Sequence, residues 1–226
     1  MKKISVSFLS SVNEQKDILK INNTSADYIH VDVMDGRFVK KKHKPYKMLY
    51  KMGSEVTKRL DVHLMEKKPL KHINYFAALN TEYITVHVEL EKVDKYLDLI
   101  NQYGIKAGLA INPDTDESML LPYINKVDLI LIMSVYPGKG GQEFIEETTK
   151  RILRIKKILL KKKSKAKISV DGGVTAKTAK KLDFADIIVS GKYVTDSDDV
   201  ESAIETLRIN ASLNTIKGKK KIDSKE

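Results

Sequence analysis

The regular alternation of strand-like and helix-like segments constrains the fold of this chain more than any other feature. Eight short runs are rich in β-branched and apolar residues, and the segments between them carry apolar residues at helical spacing. The predicted strands cover 3–8, 28–33, 57–64, 83–88, 106–111, 127–135, 167–170 and 185–190. Eight such strand-plus-helix units predict a parallel sheet that closes on itself, an α/β fold of the (β/α)8 or TIM-barrel class. A doubly wound open sheet is the alternative architecture.

The helices and the domain limits follow from the same pattern. The predicted helices cover 12–21, 45–53, 69–79, 92–103, 116–124, 146–162, 176–182 and 198–213. Because 226 residues is a common length for one barrel, we expect a single folded domain over 1–214. The polar remainder, 215–226, is predicted to be a disordered tail.

The composition excludes several kinds of site and location. The chain has no cysteine, which excludes disulfides and thiolate metal sites. No apolar run approaches the roughly 18 residues of a membrane span. Serines at 5, 7 and 10 interrupt the one candidate signal segment, and no cleavage site follows it. We therefore expect a cytoplasmic protein with no membrane partner.

The net charge of +11 comes mainly from lysine, since only five of the 41 basic residues are arginine. Proteins that read nucleic acids usually use arginine, or basic residues interleaved with aromatic ones. A solvated lysine-rich surface is the favoured interpretation, and no nucleic-acid partner is expected. The positive field would also attract an anionic substrate.

Two strands carry the same unusual row of side chains. His30, Asp32 and Met34 alternate along the second predicted strand and therefore share a face, and Asp61, His63 and Met65 do so on the third. Either row alone is more often a buried polar accident than a set of ligands. Two such rows together indicate a site.

The remaining unusual residues also lie where barrel strands end. Ser7 ends the first strand, His87 the fourth, Met133 the sixth and Asp171 the seventh. In a (β/α)8 barrel the active site lies at the carboxyl ends of the strands. Two histidines and two carboxylates that converge there would suit Zn²⁺, Fe²⁺, Mn²⁺ or Co²⁺, among which nitrogen and oxygen ligands do not choose.

Glycine-bearing turns follow the last three strands, at 138–141, 172–173 and 191. Backbone amides at such turns bind phosphate, and barrels commonly bind it after strands seven and eight. One glycine turn is weak support because glycine is common in turns. Three on adjacent strands predict a phosphate site.

Four segments resemble the ribulose-phosphate 3-epimerase family. They are His-Val-Asp-Val-Met-Asp-Gly at 30–36, Asp-Val-His-Leu-Met at 61–65, Met-Ser-Val-Tyr-Pro-Gly-Lys-Gly-Gly-Gln at 133–142 and Val-Asp-Gly-Gly-Val at 170–174. The similarity extends from the first strand to about Val194. It implies a ribulose-phosphate-binding type of barrel that interconverts D-ribulose 5-phosphate and D-xylulose 5-phosphate through a 2,3-enediolate.

The resemblance also implies roles for individual residues. His30, Asp32, His63 and Asp171 would bind one divalent metal ion, and Asp32 and Asp171 would be the acid/base pair. Substrate would be contacted by Ser7, Met34, His63, Met65 and Met133, and its phosphate by Gly138, Lys139, Gly140, Gly141, Gly172, Gly173, Gly191 and Lys192. His87 has no ligand role in the family, and we interpret it as a packed histidine or one that contacts a ligand. We also expect a homo-oligomer, without a predicted subunit number.

The sequence departs from the family pattern in the loops. Gly-Arg-Phe-Val-Lys-Lys at 36–41 replaces the usual Gly-His-Phe-Val-Pro-Asn, Tyr136 and Lys139 replace the usual residues of the strand-six turn, and Lys192 replaces a small residue. Lys192 could add charge to the phosphate site or point into solvent.

Three other functions stay open at this point. An epimerase of a six-carbon ketose phosphate, such as allulose 6-phosphate, would need the same groups. An orotidine-phosphate type of decarboxylase or aldolase lacks support, because no lysine lies in 31–35. A catalytically silent phosphate- or nucleic-acid-binding barrel would not need both Asp32 and Asp171.

Overall fold

The computed structural model describes the backbone of residues 2–222 and the side chains of residues 2–213. Its strands are β1 (Lys3–Ser7), β2 (Tyr28–Asp35), β3 (Lys42–His43), β4 (Leu60–Met65), β5 (Thr81–His87), β6 (Lys106–Ile111), β7 (Leu129–Met133), β8 (Lys167–Asp171) and β9 (Ile187–Ser190). Its helices are α1 (Glu14–Asn22), α2 (Tyr46–Met52), α3 (Leu70–Ala77), α4 (Val93–Gln102), α5 (Thr148–Lys161), α6 (Ala176–Ala179), α7 (Lys192–Thr195) and α8 (Val200–Ile222).

Eight parallel strands close into a barrel, as the alternation predicts. The order is β1-β9-β8-β7-β6-β5-β4-β2, and β1 pairs with both β9 and β2, so the sheet has no free edge within the barrel. The two-residue strand β3, which the sequence pattern does not indicate, pairs antiparallel to the end of β2 outside the ring. The open-sheet alternative is therefore wrong.

Local sequence signals explain where several helices begin. The side chain of Asn13 accepts a hydrogen bond from the Lys16 amide at 3.1 Å and caps α1. Pro45 and Pro69 immediately precede α2 and α3, as proline commonly does at a helix start. Thr175 and Thr178 form a reciprocal capping box at α6.

One predicted helix is wrong. In place of a helix over 116–124, the chain forms a single 3-10 turn over Glu117–Leu120. Pro122 stands inside the predicted segment, and proline lacks the amide hydrogen that an α-helix interior needs. The short helix α7, directly after β9, is not indicated by the sequence pattern.

The domain limit at 214 is untested. The backbone of α8 continues to Ile222, and residues 223–226, the last part of the predicted tail, lie outside the described residues. Among residues 2–222, none of the helices combines the length and the apolar character that crossing a membrane requires.

The barrel interior explains why polar residues can line its upper end. Large apolar side chains fill its lower end, contributed by Tyr28, Tyr83, Leu129 and Ile187. Strand side chains alternate, so Tyr28, His30, Asp32 and Met34 rise in one row on the inner face of β2. The outer faces of the strands pack against the helices in the main apolar core. The polar rows therefore stand on a packed base at the carboxyl ends of the strands.

Candidate active site

Strand register brings the two rows side by side. Asp32 on β2 is the register partner of His63 on β4, and His30 is the partner of Asp61. Asp171 arrives from the end of β8. One ligand atom each from His30, Asp32, His63 and Asp171 lies within 4.8 Å of all the others, which brings together the four residues predicted to bind metal.

The four ligand atoms face a common centre. His30 Nε2 lies 3.5 Å from Asp32 Oδ1 and 3.8 Å from Asp171 Oδ2. His63 Nδ1 lies 3.3 Å from Asp32 Oδ1 and 3.9 Å from Asp171 Oδ2. Three of these side chains are buried, and Asp171 is 17% exposed. The space between the four side chains is therefore open to solvent on the side of Asp171.

Asp61 fixes the orientation of His30. Its Oδ2 lies 2.9 Å from His30 Nδ1 and also accepts a hydrogen bond from Ser5 Oγ at 2.8 Å. The sequence placed Asp61 in the second row without a role, and the register now gives it one, because a carboxylate beside Nδ1 leaves Nε2 to face the centre.

The donor set fits a divalent metal ion. The buried Nε2 of His30 has no hydrogen-bond partner, although two carboxylate oxygens face it. A buried polar atom without a partner is costly, and a cation at the centre would satisfy it. Two imidazole nitrogens and two carboxylate oxygens are ligands that Zn²⁺, Fe²⁺, Mn²⁺ and Co²⁺ accept.

The two carboxyl groups have opposite electrostatic environments. Burial disfavours the charge of Asp32, but His30 and His63 outweigh it and hold the pKa of Asp32 far below its usual range. Burial raises the pKa of Asp171 to about 7; His30 opposes this rise, and the nearby carboxylates of Asp32 and Asp61 add to it. Burial and neighbouring charges thus shift the pKa values of the two carboxyl groups in opposite directions.

Ser7 lies beside Asp32. Its hydroxyl donates to Asp32 Oδ2 at 2.9 Å and accepts from the Leu9 amide at 3.2 Å. The residue also lines the cavity above the centre. Ser7 therefore orients the carboxylate as well as lying where the predicted substrate contact requires.

A cavity of about 880 Å³ opens above the four residues. Asp32 and Asp171 reach it, and its apolar wall includes Met34, Met65 and Met133, all almost fully buried. His30 and His63 are fully buried and are not among its lining residues. The predicted contact between His63 and substrate therefore stays a prediction.

Part of this wall was not predicted from the sequence. Val135 and Val189 also line the cavity, and Ser10 lies at its edge. Strand alternation could have predicted both valines. Val135 lies two residues after Met133, and Val189 lies one residue before the end of β9. No pattern in the sequence singles out Ser10.

All three glycine turns border one side of the cavity. Gly138, Lys139, Gly140, Gly141, Gly172, Gly173, Gly191 and Lys192 are lining residues. Gly173 has a φ of +61°, and a Cβ built there would lie 2.5 Å from the backbone nitrogen of Phe144. Only glycine allows this close approach of two backbone segments. The predicted phosphate residues are thus brought together on one side.

Lysines surround these turns. Lys139, Lys177, Lys181 and Lys192 line the cavity. Lys192 Nζ lies 3.9 Å from Asp196 Oδ2 and the side chain is 63% exposed, while Lys181 is paired with Glu146 at 2.6 Å. Lys177 and Lys181 were not predicted to line the cavity, although both lie in the segment that follows β8.

His43 connects the lysine-rich segment 40–44 to the site. Its Nδ1 lies 2.5 Å from the backbone oxygen of Asp32 and its Nε2 2.8 Å from Glu14 Oε1. The loop over 36–41 approaches the turn after β7, since a Cβ at Gly138 would lie 3.0 Å from Val39 Cβ. The segment that departs from the family pattern thus borders the cavity mouth.

His87 extends the site below the cavity. Its Nε2 lies 2.8 Å from His63 Nε2, and its Nδ1 lies 3.0 Å from Glu89 Oε2. Burial lowers the pKa of His87 to about 4, against the raising effect of Glu89. His87 is therefore a neutral, packed residue in direct contact with a predicted metal ligand.

The family model of the ribulose-phosphate 3 epimerase family matches residues 3–195. A protein of Helicobacter pylori (strain J99) called ribulose-phosphate 3-epimerase is 36% identical over 211 residues, covering 91% of this chain and 96% of that protein. One of Bacillus subtilis with the same name is 34% identical over 209 residues, covering 91% and 95%. A chloroplastic ribulose-5-phosphate-3-epimerase of Arabidopsis thaliana is 35% identical over 198 residues, covering 85% and 70%.

Solved structures agree on the fold. KGPDC from Streptococcus mutans superposes with a TM-score of 0.68 at 10% identity, covering 93% of this chain and 97% of that one. The 3-hexulose-6-phosphate synthase from Salmonella typhimurium superposes with a TM-score of 0.64 at 14% identity, covering 92% and 98%. At these identities the similarity concerns the barrel alone.

Proposed function

The chain belongs to the ribulose-phosphate 3-epimerase family and is a carbohydrate isomerase, and we propose that Asp32 and Asp171 perform its reaction by exchanging a proton at C3 of D-ribulose 5-phosphate. The observation that supports this is the meeting of the two carboxyl groups with His30 and His63 within 4.8 Å, at the floor of a cavity that ends in glycine turns.

The chemistry requires two acids on opposite sides of the reacting carbon. Inversion at C3 means that a proton leaves one face and another returns to the opposite face of a planar enediolate. Asp32 and Asp171 come from β2 and β8, which are separated in the barrel by β1 and β9. Because the reaction is reversible, each carboxyl group acts as the base in one direction and as the acid in the other.

His30, Asp32, His63 and Asp171 would hold the divalent metal ion. When bound, the ion supplies Lewis-acid stabilisation of negative charge on the substrate oxygens beside C3. The protein contributes the fixed orientation of its ligands: Asp61 holds His30, and Ser7 holds Asp32. Because these ligands are already oriented, the site does not have to reorganise during the reaction.

The remaining residues would position the sugar phosphate. The sulfur-containing side chains of Met34, Met65 and Met133 form a wall that neither donates nor accepts protons and excludes water from the enediolate. The backbone of the glycine turns at 138–141, 172–173 and 191 would hold the phosphate. Holding the phosphate end directs C3 towards the two acids.

The proposal is tested with metal-loaded protein and D-ribulose 5-phosphate in deuterium oxide, followed by NMR. We expect xylulose 5-phosphate with deuterium at C3, because the abstracted proton exchanges with solvent. Product without C3 deuterium would contradict the proton-exchange route. Turnover on allulose 6-phosphate but not on the pentose phosphate would move the substrate to the six-carbon class, and inactivity on both would contradict the catalytic role itself.

A further inference from the structure

We infer that Glu89, acting through His87, determines which nitrogen of His63 carries the proton and so keeps His63 Nδ1 free to bind the metal ion. The inference rests on the proposed role of His63 as a metal ligand. It makes Glu89 and His87 positioning residues, since neither reaches the cavity. It follows from counting donors and acceptors along one buried chain of hydrogen bonds.

The series of hydrogen bonds begins at Glu89, whose two carboxylate oxygens both accept hydrogen bonds. Oε1 receives the backbone amide of Asn112 at 2.8 Å and the hydroxyl of Thr115 at 2.6 Å. Oε2 faces His87 Nδ1 at 3.0 Å. Burial raises the pKa of Glu89, but these hydrogen bonds outweigh it and bring the pKa to about 2. Because Glu89 is a carboxylate, His87 Nδ1 must be the donor.

The next link is between the two imidazole rings. His87 is fully buried, packs against Phe38 with 4.5 Å between ring centres, and lies between the Glu89 carboxylate at its Nδ1 and the His63 imidazole at its Nε2. A neutral imidazole that carries its proton on Nδ1 can only accept at Nε2. His63 Nε2 lies 2.8 Å from that acceptor, so His63 Nε2 carries the proton.

The ring geometry supports a hydrogen bond and not a face-to-face stack. The ring centres of His63 and His87 lie 4.9 Å apart, and the planes are inclined by 29°. That separation is close to a sum of three lengths: the 2.8 Å between the two nitrogens, and the distance of each nitrogen from the centre of its own ring. Both nitrogens therefore lie nearly on the line that joins the ring centres.

The consequence reaches the metal site. With the proton on Nε2, Nδ1 is the nitrogen of His63 that is left for the metal ion; it lies at hydrogen-bond distance, 3.3 Å, from Asp32 Oδ1 and 3.9 Å from Asp171 Oδ2. A histidine must present a lone pair to bind a metal, and the partner of its other nitrogen decides which one it presents. His30 is set directly by a carboxylate, whereas His63 is set through a second histidine.

Glu89→Gln tests the inference, because the surroundings dictate how the new amide must lie. The Asn112 amide can only donate, so the amide oxygen takes the place of Oε1 and the NH₂ group faces His87 Nδ1. His87 must then accept at Nδ1 and donate from Nε2. His63 Nε2 becomes the acceptor, and its proton moves to Nδ1.

Two measurements follow from this reversal. In metal-free protein, nitrogen-15 NMR of the five histidines should show His63 protonated on Nε2 in the wild type and on Nδ1 in Glu89→Gln. Chelator competition with Zn²⁺ or Co²⁺ should show a metal dissociation constant raised about tenfold or more, as expected when the partner of a ligating histidine is lost.

Glu66→Gln is a matched control. Glu66 is buried, directly follows a barrel strand and lies 2.5 Å from Nδ1 of the buried His72, with no described contact to the four predicted ligands. It changes the same chemical group at the same kind of site and should leave the metal affinity and the His63 tautomer unchanged.

The outcomes separate this inference from the proposed metal site. A wild-type His63 protonated on Nδ1, or a Glu89→Gln protein that folds with unchanged tautomer and affinity, would overturn it. An equal loss of affinity in Glu66→Gln would also overturn it, since the effect would then be general to buried acids. The expected tautomers in a wild-type protein that binds neither metal would support the hydrogen-bond chain while the proposed metal site failed.

Discussion

The two ends of the cavity are built in different ways. At the acid end, Asp32 and the histidines project from strands, are buried and have fixed partners such as Asp61 and Ser7. At the end proposed to bind phosphate, called here the phosphate end, the lining comes from the glycine turns and from lysines, of which Lys192 is 63% exposed.

The two ends differ in construction because proton transfer and phosphate binding require different degrees of precision. Proton transfer requires positions fixed to a fraction of an ångström, which strands with register-paired neighbours can supply. A phosphate dianion accepts many donors over a broad range of directions, so loops can bind it. We therefore expect changes at the acid end to act on turnover and metal affinity, and changes at the phosphate end to act on the Michaelis constant.

The largest effect is expected at the two carboxyl groups. Asp32→Asn and Asp171→Asn should each lower kcat by about a hundredfold or more, because an amide cannot exchange the proton. Steady-state assays of metal-loaded protein, with metal content measured alongside, would check this. A near-wild-type rate in either variant would contradict the two-carboxylate mechanism and remove the distinction between the two ends.

The next effect concerns metal retention. His63→Ala should lower metal affinity by about tenfold or more, because a ligand is lost from a site whose other members are already fixed. Elemental analysis after dialysis against a weak chelator is the measurement. His72→Ala removes a buried histidine elsewhere and should keep its metal; equal retention in both variants would speak against His63 as a ligand.

The same contrast explains what could be predicted from the sequence. The barrel and the four converging residues were predictable because strand alternation is strict: His30 and Asp32 must share a face, and so must Asp61 and His63. The partner of Asp61 was not predictable, since it depends on the β2–β4 register. Loop features such as His43 beside Asp32, and Lys177 beside the glycine turns, depend on chain paths that no periodic pattern describes.

Other expectations stay predictions. The structure brings the predicted phosphate residues together around one cavity, and their contacts with substrate depend on the experiments proposed above. A cytoplasmic location, assembly as a homo-oligomer and the identity of the metal are likewise untested. Each depends on a partner or an environment that intramolecular geometry does not contain.

At the phosphate end, Gly173→Ala should raise the Michaelis constant with a smaller change in kcat. Its Cβ would meet the backbone of Phe144, so the loop must move and the phosphate amides with it. Gly104→Ala is the matched control, because Gly104 has a similar φ of +69° and open space around it. The positive φ costs each variant about 1 kcal/mol of stability, Gly173→Ala loses more because of the backbone contact, and only Gly173→Ala should affect substrate binding. Equal Michaelis constants in the two variants would argue against the phosphate site.

The smallest effect is expected from Lys192→Met, and it distinguishes charge from backbone at this end. Exposed charge pairs contribute about 1 kcal/mol or less, so the Michaelis constant should rise by at most about fivefold at low salt. Because salt screens exposed charges, the difference from wild type should shrink as ionic strength increases, whereas a Gly173→Ala defect should persist. Lys161→Met, at the far end of α5, controls for the change in net charge. A salt-independent defect in Lys192→Met would mean that Lys192 shapes the turn; no defect at all would mean that it points into solvent and that backbone amides alone bind the phosphate.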